Sequence, residues 1–163
     1  MKRFLILIAL FMTSCGGSID PNAVMMQVKE TAALNTMANL SSAMQIYIME
    51  HEGLTPSHLK ELKDMVKPEF AQALEANVSY EGYHYYSLPV DSQGQFYIFA
   101  TPAQYGTSGS RTFSAVADGS IYSADLKGEY VTSKPDFKSA EWTQIRGKAK
   151  ITGPEDMEQQ QGR

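Results

Sequence analysis

The sequence predicts an α+β fold: a long N-terminal helix packed on a small antiparallel β-meander, with one or two short helices between. Three observations predict it. Apolar residues recur at spacings of three and four up to residue 48, the period of one helical face. From Val78 the pattern changes to short aromatic and β-branched runs broken by Gly and Asp, which reads as hairpins. The chain has 163 residues, 43% hydrophobic and 20% charged, an ordinary globular composition with room for a single core.

The first element is an address. Met1-Lys2-Arg3 is a basic start, Phe4 to Met12 (FLILIALFM) is an unbroken apolar run, and Thr13-Ser14-Cys15-Gly16-Gly17 ends it. Crossing a bilayer takes about 20 apolar residues, so this run is too short to span. A basic start, a short apolar stretch and small residues before a cleavage point describe a secretory leader over 1–14. The chain's single Cys stands directly after that point. Met12-Thr13-Ser14-Cys15 resembles a bacterial lipobox, although Leu is commoner where Met12 stands. The resemblance implies that Cys15 is diacylated on sulfur, freed by cleavage and acylated again on its new amine. Several buried acyl chains anchor a protein firmly, whereas one holds it marginally. Gly16 after the Cys, where Asp would retain a lipoprotein at the inner membrane, implies the outer membrane of a double-membraned bacterium. The plainer alternative is a secreted protein in which Cys15 falls there by chance. Loss of the leader removes Lys2 and Arg3, leaving twelve basic against eighteen acidic side chains, a net charge of −6. That balance excludes nonspecific binding to nucleic acid, which needs a basic surface.

Residues 15–20 are a lipid-anchored linker, with Gly16-Gly17-Ser18 as its flexible part. Asp20-Pro21 is a helix start, the Asp capping free amides and the Pro fitting the first turn. Ile19 and Val24 stand where a hydrophobic staple would close. Ala33, Met37, Leu40, Met44, Tyr47 and Ile48 form the apolar stripe, and Gly53 and Pro56 mark its end. Thirty helical residues measure about 45 Å, so the N-terminal part stands free as a stalk or bends. Met37 and Met44 read as core. Met25 and Met26 read equally as core or as a soft, adaptable partner face. Thr55-Pro56 opens a second helix with Leu59, Leu62 and Val66 inward, and Pro68 starts another turn or two through Phe70, Ala73 and Leu74.

The strands follow as Val78–Val90, Gln95–Thr101, Arg111–Val116 and Ser120–Ala124, with turns at Asp91-Ser92-Gln93-Gly94 and Asp118-Gly119. In the second, Phe96, Ile98 and Ala100 share one face while Tyr97 and Phe99 take the other. Both faces are therefore partly apolar. The helix covers one; the other is covered by the tail or a partner, or is left as an exposed aromatic patch. The head spans 21–126. The C-terminal extension over 127–153 holds Trp142 and one more short element within 133–145, and the polar tail 154–163 is disordered.

Ala43-Met44-x-x-Tyr47 followed by Glu52-Gly53-Leu54-x-Pro56-x-x-Leu59-x-x-Leu62 resembles the helix-to-head junction of type IV pilins and of type II secretion pseudopilins. Gly82-Tyr83-x-Tyr85, Phe96-x-Ile98-x-Ala100-x-Pro102, Gly106-x-x-Gly109-x-Arg111-x-Phe113 and Asp118-Gly119-Ser120-Ile121 look like the strands and turns of their heads. Pilins carry a prepilin leader and a hydrophobic stem where this chain carries a lipobox. The resemblance thus implies a pilin-type head on a lipid anchor.

No enzyme signature is present. His51, His58 and His84 have no metal spacing, and no metal or other cofactor is expected. Tyr105-Gly106-Thr107-Ser108-Gly109 lacks the nucleophile elbow and the phosphate-loop Lys, and reads as a hairpin loop. Glu50, Glu52, Asp118 and Asp125 read as solvated caps and turns rather than a carboxylate pair. One constellation keeps a binding reading. Tyr83, Tyr85, Tyr86, Tyr97 and Tyr105, with Tyr80, gather around the first hairpin, and tyrosine suits protein or glycan surfaces. The expected function is that of a non-enzymatic, lipid-anchored envelope protein that binds a protein partner in an assembly. The alternative is a surface lipoprotein that binds glycan or peptide through the Tyr-rich sheet face.

Overall fold

The structure, a computed structural model, describes residues 20–90 and 94–147. The leader, Cys15, the Ile19 staple, the Asp91-Ser92-Gln93 turn and the tail 154–163 lie outside the described residues. The fold is α+β. Helix α1, Pro21–Glu50, is followed by a 3₁₀ helix, Leu59–Met65, and by α2, Pro68–Ala76. A five-stranded antiparallel sheet completes it, built from β1 Tyr83–Ser87, β2 Tyr97–Pro102, β3 Thr112–Val116, β4 Ile121–Ala124 and β5 Thr143–Arg146. Its order, β1-β2-β3-β4-β5, is a simple meander.

Local chemistry sets the boundaries. Asp20 Oδ1 accepts the Asn22 amide at 2.9 Å, capping α1 with Pro21 in its first turn. Glu52 at φ +55° and Gly53 at φ +90° turn the chain out of the helix. The second helix begins three residues later than the Thr55-Pro56 start suggests. The Glu61 carboxylate accepts the Ser57 and His58 amides at 3.1 and 3.2 Å, fixing a tight 3₁₀ start at Leu59. Strand β1 is shorter than Val78–Val90. Tyr80 and Tyr83 exchange backbone hydrogen bonds of 2.9 and 3.0 Å across Glu81 and Gly82, both at positive φ, so the chain enters the sheet through a tight turn. The Asp118-Gly119 turn joins β3 to β4 as expected, Gly119 at φ +86° and Asp118 Oδ1 accepting the Ser120 amide at 2.9 Å.

Two cores lie on the two faces of the sheet. On one face Ala33, Met37, Leu40 and Met44 of α1 cluster with Leu62, Phe70, Phe96, Ile98, Phe113 and Ile121. On the other face Tyr97, Phe99, Val116 and Ala124 meet Trp142, Val131 and Phe137. The alternation read in β2 is therefore observed, and all six of its residues are buried. Of the three covers left open for the second face, it is the chain's own C-terminal segment that closes it. Over its described part the extension 127–153 is thus packed into the head and adds β5 to the sheet.

Candidate interaction surfaces

The tyrosines were the sequence's candidate surface, and burial overturns most of it. Tyr83, Tyr85 and Tyr97 are 0%, 9% and 5% exposed. Tyr83 packs on Phe113, and its hydroxyl donates to the Arg111 carbonyl at 3.2 Å. Its ring fills the space where Gly109 has no side chain, so that glycine is a packing requirement. Tyr85 stands edge-on to Phe70 at 4.9 Å in the helix-side core. Burial pushes both phenols far above their ordinary range, with the Glu30 charge adding to Tyr83 and the Thr36 side chain easing Tyr85. Tyr97 lies on the opposite face, 6.1 Å from the Phe137 ring.

Half-buried Tyr86 stacks on Phe99, and its hydroxyl accepts the Val131 amide at 2.8 Å and lies 3.3 Å from the Thr101 hydroxyl. It therefore tethers the C-terminal cover to the sheet. Burial raises its pKa, opposed by those two hydrogen bonds. Tyr105 alone of the five is exposed, at 39%. It sits in the β2–β3 connection, where its hydroxyl donates to Asp125 at 3.2 Å and accepts from Lys127 at 3.0 Å. The Lys127 hydrogen bond holds Asp125 below the usual carboxylate range, and that carboxylate raises Lys127 in turn. The physical reason for the correction is that aromatic rings facing both ways from a sheet become core once both faces are covered.

The other singled-out residues are dispersed. His51 stacks on Tyr47 at 3.8 Å at the end of α1, and the Tyr47 hydroxyl donates to Glu61 at 2.6 Å, which raises the Tyr47 pKa. His84 lies near Tyr130 on the outer side of β1, with ring centres 6.2 Å apart. Among the described residues no group of three or more His, Cys, Asp or Glu is placed to hold a metal.

The structure shows three features that the motif reading missed. The first is a buried carboxylate. Glu30, 6% exposed, accepts the Ser110 amide and hydroxyl at 2.7 and 3.0 Å on one oxygen, and Arg111 Nε and Nη2 at 2.9 and 2.7 Å on the other. Burial works to raise its pKa, but the Ser110 amide and the Arg111 guanidinium together hold it below the usual carboxylate range. This clamp fixes α1 to the loop before β3. The second is an open cleft of about 570 Å³ formed wholly by the C-terminal cover, with Tyr130, Trp142, Glu129 and Glu141 in its walls.

The third is the outward side of α1. Residues 31–49 contain no Lys, Arg, Asp or Glu, and in the whole helix only Lys29, Glu30 and Glu50 are charged. Val24, Met25, Val28, Ile46 and Met49 are 44%, 55%, 56%, 42% and 65% exposed, and Thr31, Asn35, Asn39 and Ser42 are exposed between them. This helix is not apolar enough to cross a membrane. The charge gap was visible in the sequence, but only the packing shows which side faces out. No protein-family model, curated protein or solved structure matches this chain.

Proposed function

We propose that this chain is a non-enzymatic, lipid-anchored protein of the bacterial cell envelope with a pilin-like build, acting as a protein-interaction or assembly component. Acylated Cys15 holds it at the outer membrane. The observation that carries the reading is the uncharged outward side of α1. A solvated helix side ordinarily carries charges, whereas the centre of a protein interface is depleted of them. Here nineteen consecutive helical residues, 31–49, carry no charge, and the exposed ones among them are apolar or uncharged polar, in a chain that is 20% charged. The element order supports the pilin-like part: one long helix, two short ones, then a meander. Four residues lie between Cys15 and Asp20, and the five residue steps reach at most about 18 Å, so acylation keeps the start of α1 close to the bilayer.

A photo-reactive amino acid at position 35, in intact cells, tests the interaction. Capture of a protein is expected, and a face that yields no protein adduct sinks the proposal. For the anchor, Cys15→Ser is expected to abolish fatty-acid labelling and release the protein to the soluble fraction.

The glycan or peptide alternative keeps one favourable observation, though not on the sheet face. The cleft in the C-terminal cover is lined by exposed Tyr130 and by largely buried Trp142, with Glu129 and Glu141 also in its walls, a set suited to sugar rings and their hydroxyls. Peptidoglycan retention lost on Tyr130→Ala would favour it over the assembly role.

A further inference from the structure

The outward side of α1 has an internal order that names its partner. Val24, Val28, Thr31, Asn35, Asn39, Ser42, Ile46 and Met49 follow one another at steps of three and four, so they occupy an arc of about 80°. That arc lies opposite the buried stripe of Ala33, Met37, Leu40 and Met44. Its members are arranged symmetrically about position 37. Val24 mirrors Met49, Val28 mirrors Ile46, Thr31 mirrors Ser42, and Asn35 mirrors Asn39. Apolar positions mirror apolar ones, hydroxyls mirror hydroxyls, and amides mirror amides. We infer that this side of α1 is the contact between two copies of the chain, packed antiparallel about a twofold axis level with Met37. The inference rests on the proposed protein-interaction role and deepens it by naming the partner.

The polar members are suited to burial in such a seam. The Thr31 and Ser42 hydroxyls donate to the carbonyls of Gln27 and Ala38 at 2.9 and 3.0 Å, so each is satisfied within its own helix. The Asn35 and Asn39 side chains then find each other across the axis, where paired amides fix register, as a buried Asn does in coiled coils. A seam from Val24 to Met49 runs about 38 Å along the helix, about seven turns of continuous contact. The antiparallel arrangement follows from charge. Glu50 and Glu52 end one helix, whereas from Asp20 to Lys29 at the other end the one carboxylate is Asp20, whose Oδ1 already accepts the Asn22 amide, and Lys29 supplies a cation. Antiparallel copies set those acids against the positive pole of the partner helix, whereas parallel copies would set them against their own equivalents.

Cysteine pairs test this in the full chain in the membrane, with the parent chain controlling for Cys15. Positions 28 and 46 lie about 27 Å apart in one helix and cannot bridge within it. The double variant Val28→Cys/Ile46→Cys is expected to give disulfide-linked dimers under mild oxidant, and neither single variant is. Dimers from either single variant would mean parallel copies and overturn the inference. Charge exchange supplies the second readout, because both positions are exposed and neither change should unfold the chain. Val28→Lys is expected to reduce the sedimenting mass to that of a monomer, and adding Ile46→Glu to restore the dimer. A folded chain that is monomeric in every variant overturns the inference. In that case protein capture from position 35 preserves the interaction role, and absence of capture removes both.

Discussion

The two faces of the sheet are closed in different ways. One carries α1, a regular element whose inward stripe is aliphatic and Met-rich. The other carries a covering segment, residues 125–142, without regular secondary structure and held by a few large rings. Trp142 and Phe137 meet edge to face at 5.3 Å, Phe137 stacks on Tyr122 at 4.3 Å, and Trp142 reaches Phe99 at 6.5 Å. A helix side distributes its stabilisation over many similar contacts, while an irregular cover concentrates it in anchors. The helix side should therefore fail only with the whole fold, and the irregular cover should detach first.

The largest expected effect is on the helix side. Met37 is fully buried at the centre of that core, and Met37→Ala should cost about 3–4 kcal/mol of global stability. The matching probe on the other face is Trp142→Ala. It removes the ring that joins the cover to Phe99, with an expected cost of about 3 kcal/mol. Its signature differs, because amides of β5 and of the cover should exchange rapidly with solvent while those of β2 and β3 stay protected. Hydrogen exchange that rose equally in β2 and β5 would erase the distinction between the faces.

The Glu30 clamp ranks next and belongs to the helix side alone. Removing one partner of a buried ion pair costs up to about 5 kcal/mol, but Arg111 is half exposed, so Glu30→Ala should cost about 2 kcal/mol. The sign of its pH dependence follows from the lowered pKa. A carboxylate held below its unfolded value of 4.5 stabilises the fold above that pH and loses the contribution as pH falls further, through its folded value. Thermal unfolding of the parent should thus weaken below about pH 4.5, and Glu30→Gln should flatten that limb. Equal acid sensitivity in both proteins would place the effect elsewhere.

How much of this was legible in the sequence depended on distance along the chain. The α1 stripe, its Asp20-Pro21 start, the Asp118-Gly119 turn and the two-sided character of β2 are local patterns, and each was readable. Glu30 was not, because its partners Ser110 and Arg111 lie some eighty residues away and no spacing rule joins them. The tyrosines were misassigned for a related reason. Whether Tyr97 is surface or core depends on the cover, and the cover has no periodicity to announce it. Trp142 was the one signal of it, a large ring in an otherwise polar extension.

The smallest effect bears on why the irregularly covered face is the weaker one. Among the described residues, the Thr112 and Ser114 hydroxyls of β3 are buried with no hydrogen-bond partner. Both stand on the same side of β3 as Val116, in the face that the irregular cover closes. Ser114 lies opposite Phe99 on β2 and Tyr122 on β4, so aromatic neighbours flank it on both strands. A buried hydroxyl with no partner loses its hydration and recovers nothing. Ser114→Ala removes the polar atom and leaves a space smaller than a methyl group, so it should be neutral or stabilise by up to about 1 kcal/mol. Denaturant unfolding measures this directly. A loss greater than about 1 kcal/mol would mean that the hydroxyl has a partner in solution, and the cover would then be tied to the sheet by polar contacts as well as rings.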